Sequence, residues 1–321
     1  MVVRQNGIVR QMVSFAIFVL VGGAVSVWAM QDRGNGARPA AELVNFLLTG
    51  SRIRVDRGIA YGSGARQRLD LYRPRADARG PVVLFLHGGG WTSGSRGDHG
   101  FVGATLAARG FTVVIPDYRL YPAARFPDFV EDAAFAYRWI AARCEQDGIS
   151  HPIFVMGHSA GAHIGALLTY DPDYRARSAP RAVPPQGFIG LAGPYAFDPT
   201  TWPASREIFA SAAANPDLAR PVAFAGRGVE APALLLYGRD DKVVGRFNQL
   251  DFVTALGDAH VRVRLREYPS VGHVAIILAL LPVLRSRAPV LDDILAFLED
   301  ETPKALALPA GDRSAALSNS P

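Results

Sequence analysis

Residues 157–161, Gly-His-Ser-Ala-Gly, are the most informative stretch of this chain. They directly follow a short apolar run at 153–156, Ile-Phe-Val-Met, which has the length and the side chains of a buried strand. Glycines on both sides of a serine, straight after such a strand, permit a strained strand-to-helix turn that exposes the hydroxyl to a substrate. A Cβ at either glycine would collide with the neighbouring strand or helix. The pattern therefore predicts Ser159 as a nucleophile at the apex of this turn.

Strand-like and helix-like segments alternate along the rest of the chain. We expect strands at 53–60, 66–72, 82–86, 111–115, 153–156, 187–191, 233–237 and 261–268, and helices at 101–109 and 128–146. Several of these strands are wholly apolar, which is typical of strands buried on both faces of a parallel sheet. The repeated order of strand and helix predicts an α/β fold with a mostly parallel central sheet flanked by helices.

The chain divides into segments of different composition. We expect a signal peptide or membrane anchor at 1–30, a polar linker at 31–50, a single α/β domain at 51–301 and a disordered tail at 302–321. Within the domain, the alternation breaks at about 171–231, a proline-rich stretch around one strand. We expect this stretch to form loops and short helices that make a small cap over the edge of the sheet.

The N-terminal segment predicts export. Arg4 and Arg10 precede an uncharged, mostly apolar run at 12–30, which is the pattern of a secretory signal. The run is also nearly long enough to span a bilayer, so an uncleaved membrane anchor is an alternative. A buried N-terminal helix is a third interpretation. In the first two cases the protein is exported, and it is either membrane-anchored or secreted or periplasmic after cleavage.

The composition excludes several classes of function. The net charge of +5 comes almost entirely from scattered arginines, because lysine occurs only at Lys242 and Lys304. No basic run is interleaved with aromatic residues, so nucleic-acid binding is not expected. Cys144 is the only cysteine, which excludes an intramolecular disulfide, and no Cys or His accompanies it at metal-ligand spacing. The composition therefore predicts an ordinary globular domain without a metal site.

A second glycine-rich motif, His-Gly-Gly-Gly-Trp at 87–91, follows the strand expected at 82–86. Consecutive glycines let backbone N–H groups approach a ligand with no side chain in the way. A phosphate-binding loop is excluded because no Lys-Ser or Lys-Thr pair follows. The motif therefore predicts donors for an oxyanion that develops on an attacked carbonyl. We expect His87 and His158 to shape these two loops and His163 to be a packing residue.

The partners of a serine nucleophile are expected after later strands. The strand at 233–237 is followed by Gly-Arg-Asp-Asp, so Asp240 and Asp241 compete for the role of the acid that orients the base. We favour Asp241, and we expect one of the two aspartates to cap the following helix. His273 is the only histidine that follows both Asp241 and a strand, since His260 ends a helix. His273 is therefore predicted to be the base.

With these motifs the chain resembles the α/β-hydrolase superfamily, and within it the esterase/lipase branch that carries a His-Gly-Gly-Gly motif. The resemblance extends from about residue 82 to the helix after His273. Pro-Asp-Tyr-Arg-Leu at 116–120 and Phe-Pro at 126–127 are similar to a stretch that follows the second core strand in this branch. Gly-His-Ser-Ala-Gly-Ala-His at 157–163 is similar to the small-cap carboxylesterases related to isoprenylcysteine methylesterase and kynurenine formamidase. Ala123 is a departure, because related sequences often carry an acidic residue at that point.

The resemblance implies a role for each matching residue. Ser159 would be the nucleophile, His273 the general acid and base, and Asp241 the carboxylate that orients the histidine. Trp91 would line the substrate pocket. The oxyanion hole would be formed by three backbone N–H groups, those of Gly89, Gly90 and Ala160.

Together these residues predict a serine carboxylic-ester hydrolase that acts on a small-molecule ester through an acyl-enzyme. No metal or organic cofactor is implied, because the chain supplies every group that acyl transfer needs. One alternative is an amidase or arylformamidase with the same triad, and another is a non-catalytic binding protein with this fold. A membrane-anchored interaction protein would explain only residues 12–30. The apolar run at 274–284 is too short to span a bilayer and is expected to be a buried helix behind His273.

Overall fold

The structure, a computed structural model, describes residues 52–75, 80–146, 151–178, 183–281, 284, 286 and 288–303. The signal or anchor expected at 1–30, the linker at 31–50 and all but the start of the tail at 302–321 lie outside these residues. Among the described residues, no helix combines the length and the apolar character needed to cross a membrane.

One eight-stranded sheet forms the centre of the part of the chain that the structure describes. Its strands are β1 (Ile53–Ala60), β2 (Arg68–Pro74), β3 (Val82–Leu86), β4 (Thr112–Pro116), β5 (Ile153–His158), β6 (Gly187–Leu191), β7 (Ala233–Gly238) and β8 (Val263–Tyr268). Their order is β1-β2-β4-β3-β5-β6-β7-β8. The strand β2 pairs antiparallel with β1 and β4, and the other neighbours pair in parallel. The predicted mostly parallel sheet is confirmed.

Several strand ends differ from the sequence prediction by one or two residues, and two of these differences have a clear local reason. The strand expected at 66–72 begins two residues later because Gln67 still belongs to the preceding turn. Its N–H donates to the carbonyl of Gly64, and its side-chain oxygen accepts from the N–H of Gly64. At the other end of the sheet, β5 continues past its predicted end to His158, which pairs with Leu191 of β6. The serine turn therefore starts where a regular strand stops.

Helices cover both faces of the sheet. They are α1 (Gly100–Ala107), α2 (Asp128–Gln146), α3 (Ala160–Tyr170), α4 (Pro172–Ser178), α5 (Phe247–Asp258), α6 (Ala275–Leu278) and α7 (Val290–Asp300). Because strand side chains alternate between faces, β3 contributes to two separate cores. Leu84 and Leu86 pack with residues of α2 and α3, whereas Val83 and Phe85 pack with residues of α1 and α7. A one-residue shift in register would exchange these faces, and each such side chain contributes about 1.5–3 kcal/mol by its burial.

The helix expected within 274–284 is only four residues long, the helix α6. Ile276 and Ile277 are buried, so the start of the apolar run packs into the core behind His273, as predicted. Pro282 follows in the sequence, and proline cannot continue the interior of a helix.

The stretch at 171–231 contains α4, β6 and three short 3₁₀ turns, Ala210–Ala212, Pro216–Ala219 and Pro221–Phe224. It is fastened to the loop that follows β4. The N–H of Phe126 donates to the carbonyl of Ile208, and the hydroxyl of Ser211 donates to the carbonyl of Phe126. These contacts join the segment after β6 to the loop after β4, and both segments begin at the carboxyl edge of the sheet.

The same edge collects the chemistry-bearing segments. His87 directly follows β3, Ser159 directly follows β5, and Asp241 comes three residues after the end of β7. His273 lies in the loop after β8. In open α/β sheets, ligands bind outside the carboxyl ends of the strands, so this edge is where a site is expected.

Candidate active site

Ser159 occupies a strained turn between β5 and α3. Its φ of 54° and ψ of −123° lie in a region that residues with a side chain rarely adopt, at a cost of about 1–3 kcal/mol. A Cβ on Gly157 would lie 2.3 Å from the carbonyl oxygen of Gly161, and a Cβ on Gly161 would lie 2.1 Å from the carbonyl oxygen of Leu86. Both glycines are therefore required by the space around them.

Ser159, His273 and Asp241 form a continuous chain of hydrogen bonds. The Oγ of Ser159 is 2.8 Å from Nε2 of His273, and Nδ1 of His273 is 2.7 Å from Oδ2 of Asp241. A carboxylate only accepts, so the proton of the neutral imidazole is on Nδ1 and the lone pair of Nε2 faces the hydroxyl. This is the tautomer that can take up a proton from Ser159.

The carboxylate of Asp241 is buried and held by three donors. Besides His273, the N–H groups of Val243 and Val244 donate to Oδ1, at 2.8 Å and 2.9 Å. Burial on its own pushes the pKa of Asp241 up. The bonds from His273, Val244 and Val243, together with the attraction of His273, outweigh burial and hold this pKa below its ordinary value. The group is therefore an anion at neutral pH.

Of the two adjacent aspartates, Asp241 and not Asp240 contacts His273. Asp240 is exposed, and its N–H donates to the carbonyl of Val271 in the loop after β8. Gly238 lets the two loops approach, since a Cβ there would lie 2.2 Å from the carbonyl oxygen of Val271. The expectation that one of the two aspartates caps the following helix is wrong, because α5 begins after Arg246 and has no side-chain cap. Asp241 instead bonds the N–H groups of Val243 and Val244 as well as the histidine.

The glycine loop after β3 lies against the serine turn. A Cβ on Gly88 would be 3.3 Å from the Cβ of Ser159. The carbonyl of Gly89 accepts from the N–H of Ser93 at 3.0 Å. A trans peptide directs its C=O and N–H in opposite directions. Because the carbonyl of Gly89 points towards Ser93, the N–H of Gly90 points away from Ser93. The φ angles of Gly89 and Gly90 are 126° and 58°, which explains why glycine stands at both positions.

The remaining predicted donors adjoin the same serine. The carbonyl of Gly88 accepts from Nδ1 of His87 at 2.7 Å, so the N–H of Gly89 is directed the opposite way. Ala160 is the first residue of α3, and its N–H therefore has no carbonyl one turn back to bond. The predicted oxyanion donors thus belong to two segments that meet at Ser159.

The residues that hold the glycine loop from behind were not predicted from the sequence. The hydroxyl of Tyr118 donates to the carbonyl of His87 at 2.7 Å, and the two rings stack 4.3 Å apart. Arg66 donates to the carbonyls of Tyr118 and Gly94, which ties the loop to the start of β2. Tyr118 belongs to the Pro-Asp-Tyr-Arg-Leu motif, so the motif was noticed but its supporting role was not.

An ion cluster continues this support. Arg96 pairs with Asp70 and with Asp117, and both carboxylates are nearly buried. Burial opposes the charge of Arg96, but the two carboxylates hold its pKa above the ordinary value. Removing the arginine would leave two buried anions without this partner, which is strongly destabilising. No spacing in the sequence signals this cluster.

Trp91 lies between the glycine loop and the cap. Its indole is buried, with ring centroids 5.3 Å from His163 and 5.0 Å from Phe209, both edge-on, and it stacks on Phe197 at 6.4 Å. His163 donates from Nε2 to the carbonyl of Ala219, and burial lowers its pKa to about 4. His163 is therefore a neutral packing residue, as the sequence predicts.

The site residues predicted from the sequence all lie at one edge of the sheet: Ser159, Asp241, His273, Gly89, Gly90, Ala160 and Trp91. Three of them are joined by hydrogen bonds, and the three predicted oxyanion donors belong to the glycine loop after β3 and to the start of α3. Within the described ranges, no three His, Cys, Asp or Glu side chains come together in a way that could hold a metal ion.

Comparison with known proteins reveals several esterases. A family model described as BD-FAE matches residues 69–178. Over 148 residues the chain is 35% identical to a probable isoprenylcysteine alpha-carbonyl methylesterase of Arabidopsis thaliana, covering 44% of this chain and 35% of that protein. Over 127 residues it is 36% identical to the esterase LipC of Mycobacterium tuberculosis, covering 37% and 32%. The chain thus spans about a third of the length of these relatives.

Among solved structures, esterase B from Lactobacillus rhamnosis superposes with a TM-score of 0.68 at 18% identity, covering 94% of this chain and 98% of that one. An esterase from Pyrobaculum calidifontis superposes with a TM-score of 0.63 at 24% identity, covering 82% and 90%. At such identities the likeness concerns the fold. Sheet order, serine turn and sequence similarity agree: the chain has an α/β-hydrolase fold, and the relatives that it matches over part of its length are named as esterases.

Proposed function

We propose that the chain is a serine carboxylic-ester hydrolase that works through an acyl-enzyme on Ser159, His273 and Asp241. The observation that carries the proposal is the hydrogen-bond chain of 2.8 Å and 2.7 Å that joins these three side chains. A serine hydroxyl is a weak nucleophile near neutral pH, and a base in hydrogen-bond contact, itself oriented by a third group, is what activates it.

In the first half-reaction, Nε2 of His273 accepts the Ser159 proton as Oγ attacks the ester carbonyl. The anionic Asp241 stabilises the imidazolium that forms, and the N–H groups of Gly89, Gly90 and Ala160 would bond the oxyanion of the tetrahedral intermediate. The intermediate then collapses, and His273 protonates the departing alcohol. In the second half-reaction, water gives a proton to His273 and attacks the acyl carbonyl. The tetrahedral intermediate then releases the acid as His273 transfers that proton to the departing Oγ of Ser159.

The proposed substrates are small-molecule esters. The relatives include a protein named ethyl acetate hydrolase from Pseudomonas putida, 38% identical over 103 residues. Trp91, which packs edge-on against Phe209 and His163, is proposed to bound the substrate pocket on one side, and this favours a compact group beside the carbonyl.

A second candidate function is amide or formamide cleavage with the same residues. It is favoured by one observation: the chain is 31% identical over 111 residues to a protein named kynurenine formamidase from Salmo salar, covering 34% of this chain and 37% of that protein. Ester and amide cleavage share every residue of the proposed mechanism. A matched pair of aryl esters and aryl formamides with the same aromatic group separates them, because only the leaving group differs.

The proposed location is outside the cytoplasm, either on a membrane or in solution after cleavage. The basic start and the apolar run at 12–30 support this. Cell fractionation of the full chain, followed by mass determination of its N-terminus, tests it. We expect membrane-bound chain with residues 12–30 retained, or exported chain that lacks them, and a purely cytosolic chain with an intact N-terminus would contradict the proposal.

The activity test is hydrolysis of p-nitrophenyl esters from acetate to palmitate by the full chain and by Ser159→Ala. We expect activity that declines with acyl length in the parent, and a loss on the order of 10⁶-fold in the variant. Ser205→Ala is the matched control, since this buried hydroxyl only donates to the carbonyl of Pro199 within the cap. Activity that survives Ser159→Ala would contradict the proposed nucleophile.

A further inference from the structure

His158 directly precedes Ser159 and contacts the loop that carries His273. Its Nε2 is 2.9 Å from the carbonyl oxygen of His273, and the two ring centroids are 5.0 Å apart. A carbonyl only accepts, so Nε2 of His158 must carry the proton of this bond. His273 itself lies in the loop between β8 and the four-residue helix α6, outside any strand or helix. The bond therefore fixes a part of the main chain that no regular element holds.

The other side of the His158 ring contacts the glycine loop. A Cβ built on Gly88 would lie only 2.9 Å from Nδ1 of His158 and 3.2 Å from its carbonyl oxygen. Glycine at 88 thus lets the ring fit between the glycine loop and the His273 loop. One imidazole consequently sets the spacing of both loops relative to Ser159, which follows it in the chain.

The His158 ring is neutral. Burial lowers its pKa to about 3, and repulsion from His273 acts in the same direction, while the bond to the His273 carbonyl opposes both. Near neutral pH, His158 therefore neither competes with His273 for a proton nor places a second positive charge beside the imidazolium formed during acyl transfer. The Nε2 proton of His158 is therefore available for the bond to the His273 carbonyl throughout the reaction.

We propose that His158 is a positioning residue: its Nε2–H bond to the His273 carbonyl, with its ring against Gly88, holds the base at the distance that bridges Ser159 and Asp241. The inference rests on the proposed function, in which His273 is the base. A displacement of about 1 Å in a reacting group is sufficient to reduce a rate roughly 10²-fold, so a bond that fixes the His273 main chain has a large expected effect.

The test compares three variants of the full chain. His158→Phe keeps a planar ring but removes the N–H, and His158→Gln keeps an N–H donor on a flexible side chain. Tyr137→Phe is the matched control. Tyr137 lies on α2, and its buried hydroxyl likewise donates to a carbonyl, that of Val183 at 2.6 Å, rather than to a residue of the site.

We expect His158→Phe to lower kcat roughly 10–100-fold with KM nearly unchanged, because His158 is buried and bonds the main chain of His273. His158→Gln should recover part of the loss, and Tyr137→Phe should keep the parental kcat. The proposal is overturned if His158→Phe retains at least half of the parental kcat, or if His158→Gln is no better than His158→Phe. Should the Phe variant fail to fold by circular dichroism, His158→Leu, which also lacks the N–H, takes its place, and a kcat of at least half the parental value in that variant overturns the proposal.

A second readout does not depend on turnover. The Nδ1–H of His273, bonded to Asp241, gives a downfield proton NMR resonance that reports whether the base is in place. We expect this resonance to shift or broaden in His158→Phe and to stay unchanged in Tyr137→Phe, and an unchanged resonance in both overturns the positioning role. If the parent shows the resonance but hydrolyses no ester, the proposed function fails while the positioning role is still tested.

Discussion

The two halves of the candidate site are built in different ways. Ser159 and its two glycines lie within five consecutive residues, and the space around them is so tight that a Cβ would collide with backbone within 2.1–2.3 Å. In the acid–base pair, Asp241 and His273 are 32 positions apart in the sequence, and His273 is 114 positions from Ser159. The serine half is thus specified by local sterics, whereas the acid–base pair is specified by strand order and held by hydrogen bonds. The two halves should therefore fail differently when mutated.

After the loss of Ser159 itself, the largest expected effect on activity comes from removing the negative charge of the acid–base pair. Asp241→Asn keeps the shape of the side chain, but the amide favours the wrong histidine tautomer, so we expect kcat to fall about 10⁴-fold with the fold retained. Asp240→Asn is the matched control, because Asp240 is exposed and its neighbour makes the contact to His273. A larger loss in Asp240→Asn than in Asp241→Asn would show that the acid has been assigned to the wrong residue.

The serine half should instead fail sterically. Gly161→Ala forces a Cβ to within 2.1 Å of the Leu86 carbonyl, so we expect the free energy of unfolding to fall by about 3 kcal/mol or more. Gly257→Ala, in α5 with open space around the added methyl group, should raise stability by up to about 1 kcal/mol. Urea unfolding of both variants measures the contrast. A Gly161→Ala protein as stable as the parent would remove the steric explanation of the turn.

Lowering the pH should reduce the stability of the serine half before it protonates Asp241. The pKa of His163 on α3 is lowered to about 4 by burial, so between pH 6.5 and 4 the unfolded chain binds more protons than the folded one. Stability therefore falls as the pH falls through this window, by up to about 1.4 kcal/mol per pH unit for this residue. Asp241, whose pKa is lowered below its ordinary acidic value, keeps its charge and its bonds over the same window.

His163→Phe removes this titration. Its stability deficit relative to the parent should be largest near pH 7.5 and should shrink towards pH 5, because only the parent must keep a neutral imidazole buried. Urea midpoints at the two pH values measure it. If the stabilities of parent and variant instead fall in parallel as the pH is lowered, the acid sensitivity comes from residues other than His163.

The smallest expected effect concerns the support behind the glycine loop. Tyr118→Phe removes the hydroxyl that donates to the His87 carbonyl but keeps the ring stacked on His87. We expect a loss of about 1 kcal/mol in the free energy of unfolding and a fall in kcat of a few fold with KM little changed. Steady-state kinetics on p-nitrophenyl acetate give the comparison. A rise in KM alone would instead indicate that Tyr118 contacts substrate.

The same contrast explains what could be predicted from the sequence. The serine turn and the mostly parallel sheet follow from short motifs and apolar periodicity, which depend on neighbouring residues. The choice between Asp240 and Asp241 depends on side-chain direction after β7, so the sequence favoured one aspartate without excluding the other. The supporting role of Tyr118 could not be predicted, because its contact with His87 joins residues 31 positions apart and has no recurring spacing.

The boundary errors have the same origin. Gln67 has the pattern of a strand residue, yet its side chain bonds the turn at Gly64 and delays the start of β2. Arg96 and its two carboxylates come from three separate segments, so only the folded chain brings them together. Local chemistry could therefore be predicted, whereas the network that holds it needed the structure.

The most direct test of the central claim is to identify the residue that becomes covalently modified. The full chain would be treated with a fluorophosphonate and its peptides analysed by mass spectrometry, with Ser159→Ala in parallel. The account predicts one adduct, on the peptide that carries Ser159, and none in the variant. An adduct on another residue, or ester hydrolysis that continues with Ser159 unmodified, would contradict it.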